Sequence, residues 1–402
     1  KELPHVKVMR RFQAWDELPV LPEGRIGIYV GSHTHFSEKQ NRAIDRFCAT
    51  YDAVVICDHT SGYYGKYKLL PTLVQLQSDI TSPFPPLDLM VHIGEISAAS
   101  FNDTIPAKEV WRVSEDGELR DPFKKLTTVF QMSEEMFFLH YGKDGCNRHV
   151  LIDECRELFG EIYEQIPELP FCNIWTAMQL SSRLPKGALF HMGVSNTRRC
   201  WNMFQLPESV ESACNVGCCG IDGCVSTLVG ASLVNPDRLC YVVVGDLTFF
   251  YDLNSLGNHH IGTNLRVMLV NNGRGTEFRL GIHHCNVFGD DADKYMAAAG
   301  HFGNKSPLLV KHYAEDLGFH YLSATTKEEF MTALSNFTNP QLSDHSMILE
   351  VFTDSKDESE ALYLMSHIQS DAKGMVRSKL KDAVRNVAGE KGINAIKKIL
   401  KK

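Results

Sequence analysis

The chain has 402 residues, of which 44% are apolar and 22% charged, the composition of a globular protein with two or three domains. Lysine and arginine together number 41 and aspartate and glutamate 49, and the resulting net charge of −8 argues against a protein that binds nucleic acid or anionic membranes. The sequence also lacks an apolar run of about 18 residues, which argues against a membrane-spanning helix.

The first part of the chain alternates short apolar runs with amphipathic stretches. Strands are predicted over 25–31, 53–58, 88–94 and 109–114, with helices over 38–51 and 70–77. Strands separated by helices pair in parallel, so we predict a central α/β domain over 25–130, preceded by a linker over 1–24. This domain has no GxGxxG motif, and dinucleotide binding therefore has little support there.

The second part of the chain repeats this alternation after an amphipathic helix over 146–166. Strands are predicted over 188–193, 239–246, 265–272 and 347–354, a small-residue helix over 223–232, and helix segments over 311–322 and 326–337 around the short strand HYLSA. The pattern predicts a second domain over 131–370. The fold class is therefore α/β with two open parallel-sheet domains, followed by a basic helical tail over 371–402.

Two strands of the second domain end in polar residues. Gly245 and Asp246 end one strand, and Asn272 and Gly273 end the next. The interval between them accommodates a crossover helix over 249–258 and a return strand, so we predict that Asp246 and Asn272 lie side by side. Their oxygens suit Mg²⁺ completed by phosphate, and glycine lets the backbone approach a diphosphate. The alternative is that both residues only cap strand ends.

The segments GDLTFFYDLNSL and VNNGRGTEF resemble the thiamine-diphosphate motif, a Gly-Asp pair followed by Asn-Asn. With GIDG at 220–223, LFHMGVSNTRR at 189–199 and ILEVFTDSKDESEAL at 348–362, nearly all of the chain except the basic tail resembles the menaquinone-pathway 2-succinyl-5-enolpyruvyl-6-hydroxy-3-cyclohexene-1-carboxylate synthases (MenD type). The resemblance implies an Mg²⁺-dependent thiamine-diphosphate enzyme, a transferase or lyase. Such a decarboxylase or carboligase decarboxylates a 2-oxo acid and passes the acyl anion to an acceptor or a proton.

The resemblance also implies roles for individual residues. Asp246 and Asn272 would bind Mg²⁺ through their side chains and Arg274 through its carbonyl oxygen. Ser195 and Arg199 would contact substrate carboxylates, and Phe278 would form an apolar wall of the substrate pocket. The implied cofactor-binding residues are Gly220, Ile221, Gly245, Asp246, Leu247, Thr248, Asn272 and Gly273, with Ile221 holding the coenzyme in its bent conformation.

Three residues depart from the family pattern. Val216 stands where the family has a substrate-binding arginine, Glu277 replaces an aliphatic residue, and Gly281 replaces a leucine. The first two changes are expected to repel a polyanionic acceptor, which favours a different 2-oxo acid or acceptor.

The family's pyrimidine-binding domain, which supplies the catalytic glutamate, has no counterpart in this sequence. We expect that domain in a longer polypeptide or on a separate chain, so the catalytic residue would lie outside this sequence. The family also implies a homodimer or homotetramer.

The remaining motifs have ordinary interpretations. The 12 cysteines lack CxxC spacing and predict reduced thiols in a cytoplasmic protein rather than a zinc site, although Cys214, Cys218, Cys219 and Cys224 are clustered. The pairs His259–His260 and His283–His284 are interpreted as loop residues, with one of the second pair as a candidate neighbour of the active site. Lys66 or Lys68 are weaker candidates for substrate contact, and Asp222 is interpreted as a helix cap.

Two other functions stay open. One is a non-catalytic cofactor-binding or assembly subunit with the same fold, and the other is an unrelated α/β nucleotide-binding protein. For Arg198 and Arg199, the sequence does not decide which side chain points inward.

Overall fold

The computed structural model describes residues 8–80, 84–95, 105–280, 283–294, 303 and 305–370. In these ranges the chain forms two sheets whose strands all pair in parallel, with helices between the strands, which confirms the predicted α/β class. The predicted basic tail over 371–402 and the departure at Gly281 lie outside the described residues.

The first sheet contains seven described strands in the order β1-β7-β6-β5-β2-β3-β4. They are β1 (Arg10–Gln13), β2 (Ile26–Val30), β3 (Val54–Cys57), β4 (Lys68–Leu69), β5 (Leu87–Ile93), β6 (Ala107–Val113) and β7 (Leu126–Gln131). The four predicted strands are present. The interval 1–24, predicted as a linker, contains β1, which pairs with β7 at the edge of this sheet.

Four helices pack beside the first sheet: α1 (Glu38–Tyr51), α2 (Thr72–Leu76), α3 (Glu134–Tyr141) and α4 (Val150–Glu164). The bounds of α1 match the prediction, because Ser37 and Gln40 form a reciprocal capping box at its start and Asp52 adopts a left-handed conformation at its end. Helix α3 packs against α1, and α4 packs against α2 and β4. Helices α3 and α4 lie in the range predicted as the second domain, but they pack beside the first sheet.

The second sheet has the order β12-β13-β11-β10-β8-β9 in the described part of the chain. Its strands are β8 (Leu189–Met192), β9 (Glu211–Cys214), β10 (Cys240–Gly245), β11 (Leu265–Asn271), β12 (His320–Ala324) and β13 (Met347–Phe352). The central strands β10 and β11 are almost wholly buried, as expected for an apolar parallel sheet covered on both faces.

The helices around this sheet are α5 (Asn173–Leu180), α6 (Asn196–Trp201), α7 (Cys224–Val234), α8 (Asp246–Asp252), α9 (Leu309–Asp316), α10 (Lys327–Phe337) and α11 (Ser355–Ser366). Two predicted boundaries need correction. The crossover helix α8 begins at Asp246 itself rather than at residue 249, and the helix predicted over 311–322 ends at Asp316. The last strand, β13, is internal, because β12 occupies the edge.

The order of the strands reverses once in each sheet. In the first sheet β2 and β5 are neighbours, and the chain continues from β2 to β3 on one side and from β5 to β6 on the opposite side. In the second sheet β8 and β10 are neighbours in the same way, with β9 on one side and β11 on the other. Ligands of open α/β sheets bind at such a point, outside the carboxyl ends of the strands. In the described ranges no helix is both long enough and apolar enough to cross a membrane.

Candidate functional site

Asp246 and Asn272 follow the carboxyl ends of neighbouring strands, as predicted. Strands β10 and β11 pair in parallel with Gly245 opposite Val270, so the residue after β10 and the residue after β11 lie at the same edge of the sheet. Strand β8 is the other neighbour of β10, and the amide of Gly193 donates to the carbonyl of Val243 at 2.7 Å. The two polar side chains therefore lie beside the reversal point of the second sheet.

The side chain of Asp246 and the amide oxygen of Asn272 are both buried. Asp246 is 2% exposed, and its Oδ1 accepts a hydrogen bond of 2.8 Å from the amide of Leu247. The Oδ1 atom of Asn272 is buried and has no hydrogen-bond partner among the described residues. A buried amide oxygen without a partner is costly, and a bound cation would satisfy it.

Glu350 on β13 is a third buried oxygen-bearing group near this site, and sequence reasoning missed it. Its carboxylate accepts hydrogen bonds of 2.7 Å from Asn271 Nδ2 and from the Tyr321 hydroxyl. Burial raises the pKa of Glu350, and the neighbouring carboxylate of Asp246 raises that pKa further. A cation beside Asp246 would offset the repulsion between these two carboxylates.

The other predicted cofactor residues surround the same strand ends. Gly245 is the last residue of β10, and Leu247 and Thr248 are buried in the first turn of α8. Gly273 has a φ of +81°, a conformation that a side chain would strain. The carbonyl oxygen of Arg274 accepts a hydrogen bond from the amide of Thr276 at 2.9 Å.

Gly220 and Ile221 lie in the loop between β9 and α7, and Ile221 packs against the core on one face of the second sheet. The helix that follows has Gly223 as its N-cap residue. The interpretation of Asp222 as the helix cap is therefore wrong.

A cleft of about 400 Å³ lies between the carboxyl edges of the two sheets. The first sheet contributes residues that follow β2 and β3, and the second contributes residues after β8, β9 and β11. All three predicted substrate residues, Ser195, Arg199 and Phe278, line this cleft. Ser195 connects β8 to α6 with a φ of +60°, an unusual conformation for a residue with a side chain.

Arg199 makes a two-pronged ion pair inside the cleft. Its Nη1 and Nη2 atoms donate to the two carboxylate oxygens of Glu277 at 2.9 and 2.6 Å. Their side chains are only 10% and 21% exposed. Burial by itself lowers the pKa of Arg199, but the hydrogen bonds and charge of Glu277 outweigh it and leave that pKa raised.

Arg198 also lines the cleft, so the two adjacent arginines both point inward. The Nη1 atom of Arg198 lies 3.7 Å from Oδ2 of Asp58, and Asn202 Nδ2 donates to the same oxygen at 3.2 Å. Asp58 follows β3 in the first sheet, and this cluster therefore connects the two sheets across the cleft.

The weaker candidates lie in different places. His283 lines the cleft, and its ring packs edge-on to Phe278 with centroids 5.2 Å apart, whereas the side chain of His284 is outside the described part. Lys66 and Lys68 stack on tyrosine rings. They are not among the described residues that line the cleft.

The rings of His259 and His260 pack against each other at an open surface depression. Three or more histidine, cysteine or acidic side chains suited to a metal do not come together anywhere in the described ranges.

The sequence analysis missed the residues that the first sheet contributes to the cleft. Asp58, Thr60 and Glu95 line it from the ends of β3 and β5. The available signal was their position directly after apolar strands, the same signal that identified Asp246 and Asn272. For the loop after β3, this signal led only to Lys66 and Lys68.

Comparison with known proteins finds curated relatives that share one name, 2-succinyl-5-enolpyruvyl-6-hydroxy-3-cyclohexene-1-carboxylate synthase. The relative from Bacteroides fragilis is 33% identical over 263 residues, which are 64% of this chain and 45% of that protein. The relative from Phocaeicola vulgatus is 32% identical over 265 residues, with shares of 64% and 44%. That from Cytophaga hutchinsonii is 32% identical over 239 residues, with shares of 59% and 39%.

No family model matches the chain. The chain spans less than half the length of the curated relatives it matches. The two parallel sheets and these identities together confirm the resemblance that the motifs indicate: over 64% of its length this chain is similar to the 2-succinyl-5-enolpyruvyl-6-hydroxy-3-cyclohexene-1-carboxylate synthases.

Proposed function

We propose that this chain is the central and diphosphate-binding part of an Mg²⁺-dependent thiamine-diphosphate enzyme. The enzyme would decarboxylate a 2-oxo acid and transfer the resulting acyl anion to an acceptor or a proton. One observation carries the proposal: Asp246 and Asn272 follow the adjacent parallel strands β10 and β11 beside the reversal point of the second sheet, and the buried Oδ1 of Asn272 has no hydrogen-bond partner among the described residues. Oxygen ligands of this kind suit Mg²⁺ that also binds a diphosphate.

The residues present fit the coenzyme. Asp246, Asn272 and the carbonyl oxygen of Arg274 would hold Mg²⁺, and its charge would offset the repulsion between Asp246 and Glu350. Gly245, Leu247, Thr248 and Gly273 would surround the diphosphate, and Gly220 and Ile221 would contact the rest of the coenzyme. When bound, thiamine diphosphate supplies a carbanion that attacks the substrate carbonyl and accommodates the electron pair left by loss of CO₂.

The protein itself would bind and orient the 2-oxo acid. Ser195, Arg198 and Phe278 line a cleft that both sheets enclose. The hydroxyl of Ser195, the guanidinium of Arg198 and the ring of Phe278 would together fix the orientation of the substrate. Enclosure limits water, and a carbanion is protonated too early where water has free access.

The complete protein would also include a pyrimidine-binding domain, in the same polypeptide or on a partner chain, that supplies the catalytic glutamate. We further propose a cytoplasmic homodimer or homotetramer. The matched segments make up 45% and 44% of these relatives' own lengths, so each relative has further sequence outside the match, with room for such a domain.

The test is titration calorimetry of thiamine diphosphate with and without Mg²⁺, using the full chain and, in a second series, the chain with a pyrimidine-binding domain supplied. We expect binding that requires Mg²⁺ and that weakens at least about tenfold in Asp246→Ala and in Asn272→Ala. Asp237→Ala is the matched control, because Asp237 is an exposed aspartate near the opposite end of β10. Binding without Mg²⁺, or equal binding by Asp246→Ala and the wild type, contradicts the proposal.

Melting temperatures without ligand separate loss of a ligand from loss of the fold. Asn272→Ala removes an oxygen that has no partner among the described residues, so its stability should not fall. Asn264→Ala is the comparison, because Asn264 precedes the same strand and its Nδ2 donates to three backbone carbonyls. That variant should lose about 1–3 kcal/mol of unfolding free energy and keep its Mg²⁺-dependent binding.

A further inference from the structure

Each carboxylate that lines the cleft already has an arginine within ion-pair distance. Glu277 holds Arg199 through two hydrogen bonds, and Asp58 lies 3.7 Å from Arg198. The third carboxylate that lines the cleft, Glu95, pairs with Arg112 and Arg120 of the first domain. Among the described lining residues, carboxylates therefore outnumber guanidinium groups three to two.

The Arg199–Glu277 pair is built to persist. Arg199 lies on α6, which packs against β8 and β10, and Glu277 lies in the helical turn after β11, which packs against α11. Two parallel hydrogen bonds between a guanidinium and a carboxylate form a strong and specific contact. Because both side chains are mostly buried, separating them leaves an uncompensated charge, which is more costly than the pair itself.

A ligand carboxylate aimed at Arg199 must displace Glu277. The displaced carboxylate would remain in the same cleft beside the ligand and repel it. An uncharged group meets no such obstacle, and Val194, Val216 and Phe278 give the cleft apolar lining for it.

We infer that Glu277 is a specificity-determining residue that blocks Arg199 and makes the cleft select a 2-oxo acid with a single carboxylate and an uncharged, apolar tail over a dicarboxylate. The identification of the ligand as a 2-oxo acid rests on the proposed function. The selection against a second carboxylate rests on the Arg199–Glu277 pair.

Binding of two unreactive probes tests this selection without the coenzyme. Pentanoate and glutarate have the same chain length, and glutarate carries a second carboxylate in place of the methyl group. Calorimetric titration of the full chain should show tighter binding of pentanoate than of glutarate. Glu277→Gln keeps the shape of the side chain and removes its charge, and it should strengthen glutarate binding by roughly tenfold or more while pentanoate changes less than about twofold.

Two further variants assign any gain to the freed guanidinium. Adding Arg199→Gln to Glu277→Gln should abolish the gain in glutarate affinity. Glu211→Gln, which breaks an Arg–Glu pair with Arg238 outside the cleft lining, should leave both affinities unchanged.

The inference is overturned if wild-type protein binds glutarate more tightly than pentanoate, or if Glu277→Gln fails to improve glutarate binding, including the case in which neither protein binds it. Should Glu277→Gln not fold, the preference of the wild type between the two probes decides alone. The coenzyme titration is a separate measurement on Asp246 and Asn272, so either proposal can fail while the other stands.

Discussion

Glu358 is a buried carboxyl group that joins the starts of α11 and α5. It lies in the first turn of α11 and is 1% exposed. Its Oε1 accepts hydrogen bonds of 2.9 Å from the amide of Asn173 at the start of α5 and from the hydroxyl of Thr353. Burial raises the pKa of Glu358 to about 7, against an ordinary value of 4.5. The hydrogen bonds oppose that shift without cancelling it.

The raised pKa of Glu358 predicts that stability depends on pH. Between about pH 4.5 and 7 the folded chain keeps the proton on Glu358 and the unfolded chain releases it. The stabilisation that protonated Glu358 gives the folded chain is therefore fully present below about pH 4.5, its pKa in the unfolded chain. It is lost as the pH rises through about 7, its pKa in the folded chain. We expect the free energy of unfolding to fall by about 3 kcal/mol across this window because of Glu358 alone.

Urea titrations from pH 4.5 to 8 measure this effect as the difference between wild type and Glu358→Gln. The amide oxygen of glutamine still accepts both hydrogen bonds, and the variant should lack the fall, so it gains on the wild type as the pH rises. Glu157→Gln, at an exposed position of α4, should follow the wild-type curve. Parallel curves for Glu358→Gln and wild type would contradict the prediction.

Arg199 illustrates what residue-level reasoning can and cannot predict. The family resemblance implies that Arg199 contacts substrate, and its side chain lines the cleft. The sequence analysis treated Glu277 as a separate departure that adds a negative charge. Arg199 and Glu277 are 78 residues apart, and only the folded sheet shows that one neutralises the other.

At the scale of elements, apolarity decided which strands could be predicted. The buried strands β2, β3, β10 and β11 are continuous apolar runs, and each was predicted within one or two residues. The prediction missed β1, β4, β7 and β9. Three of them, β1, β4 and β9, are edge strands of two to four residues, and edge strands expose side chains that a central strand buries. The fourth, β7, is internal, but two threonines interrupt the apolar run in its sequence LTTVFQ.

The turn between β8 and α6 stores strain at the cleft. Ser195 has φ +60° and ψ −118°, a region that favours glycine, and its hydroxyl makes no cap hydrogen bond to α6 within the described structure. Ser195→Gly should therefore raise the free energy of unfolding by about 1 kcal/mol, since relief of strain exceeds the entropy that glycine adds to the unfolded chain.

Ser195→Ala is the matched variant for this turn, because it removes the same hydroxyl and keeps the strained Cβ atom. Denaturant titration should rank Ser195→Gly as more stable than Ser195→Ala, while both variants lose whatever contact the hydroxyl makes with a ligand. The reverse ranking would show that the turn is not strained at this residue.

At the scale of the whole molecule, the two sheets share a core. One continuous cluster of buried side chains runs from Leu21 beside the first sheet to Met365 on α11. The alternation of strands and helices predicts two successive α/β domains, over 25–130 and 131–370. Sequence patterns did not show that α11, at the end of the second unit, packs against α2 of the first.

Gln77 joins these two units through its side chain. It is 5% exposed, and its Nε2 donates to the carbonyls of Leu73 and Met365 at 3.0 and 2.8 Å. Its Oε1 accepts from the amides of Ile368 and Gln369 at 3.0 and 3.2 Å. One side chain thus satisfies three backbone groups at the end of α11 from a position just after α2.

Truncation of Gln77 should loosen the contact between the sheets. We expect Gln77→Ala to lower the free energy of unfolding by about 1–3 kcal/mol, because a buried carbonyl and two amides lose their partners. Gln165→Ala removes an exposed glutamine that bonds only within α4 among the described contacts, and its stability should match the wild type. The cleft lies between the carboxyl edges of both sheets, so pentanoate binding requires both sheets, whereas the proposed coenzyme ligands lie on the second sheet alone. Gln77→Ala should therefore weaken pentanoate binding more than it weakens Mg²⁺-dependent coenzyme binding. Equal losses in the two titrations would show that the units move as one body and that the shared core, rather than this side chain, fixes their arrangement.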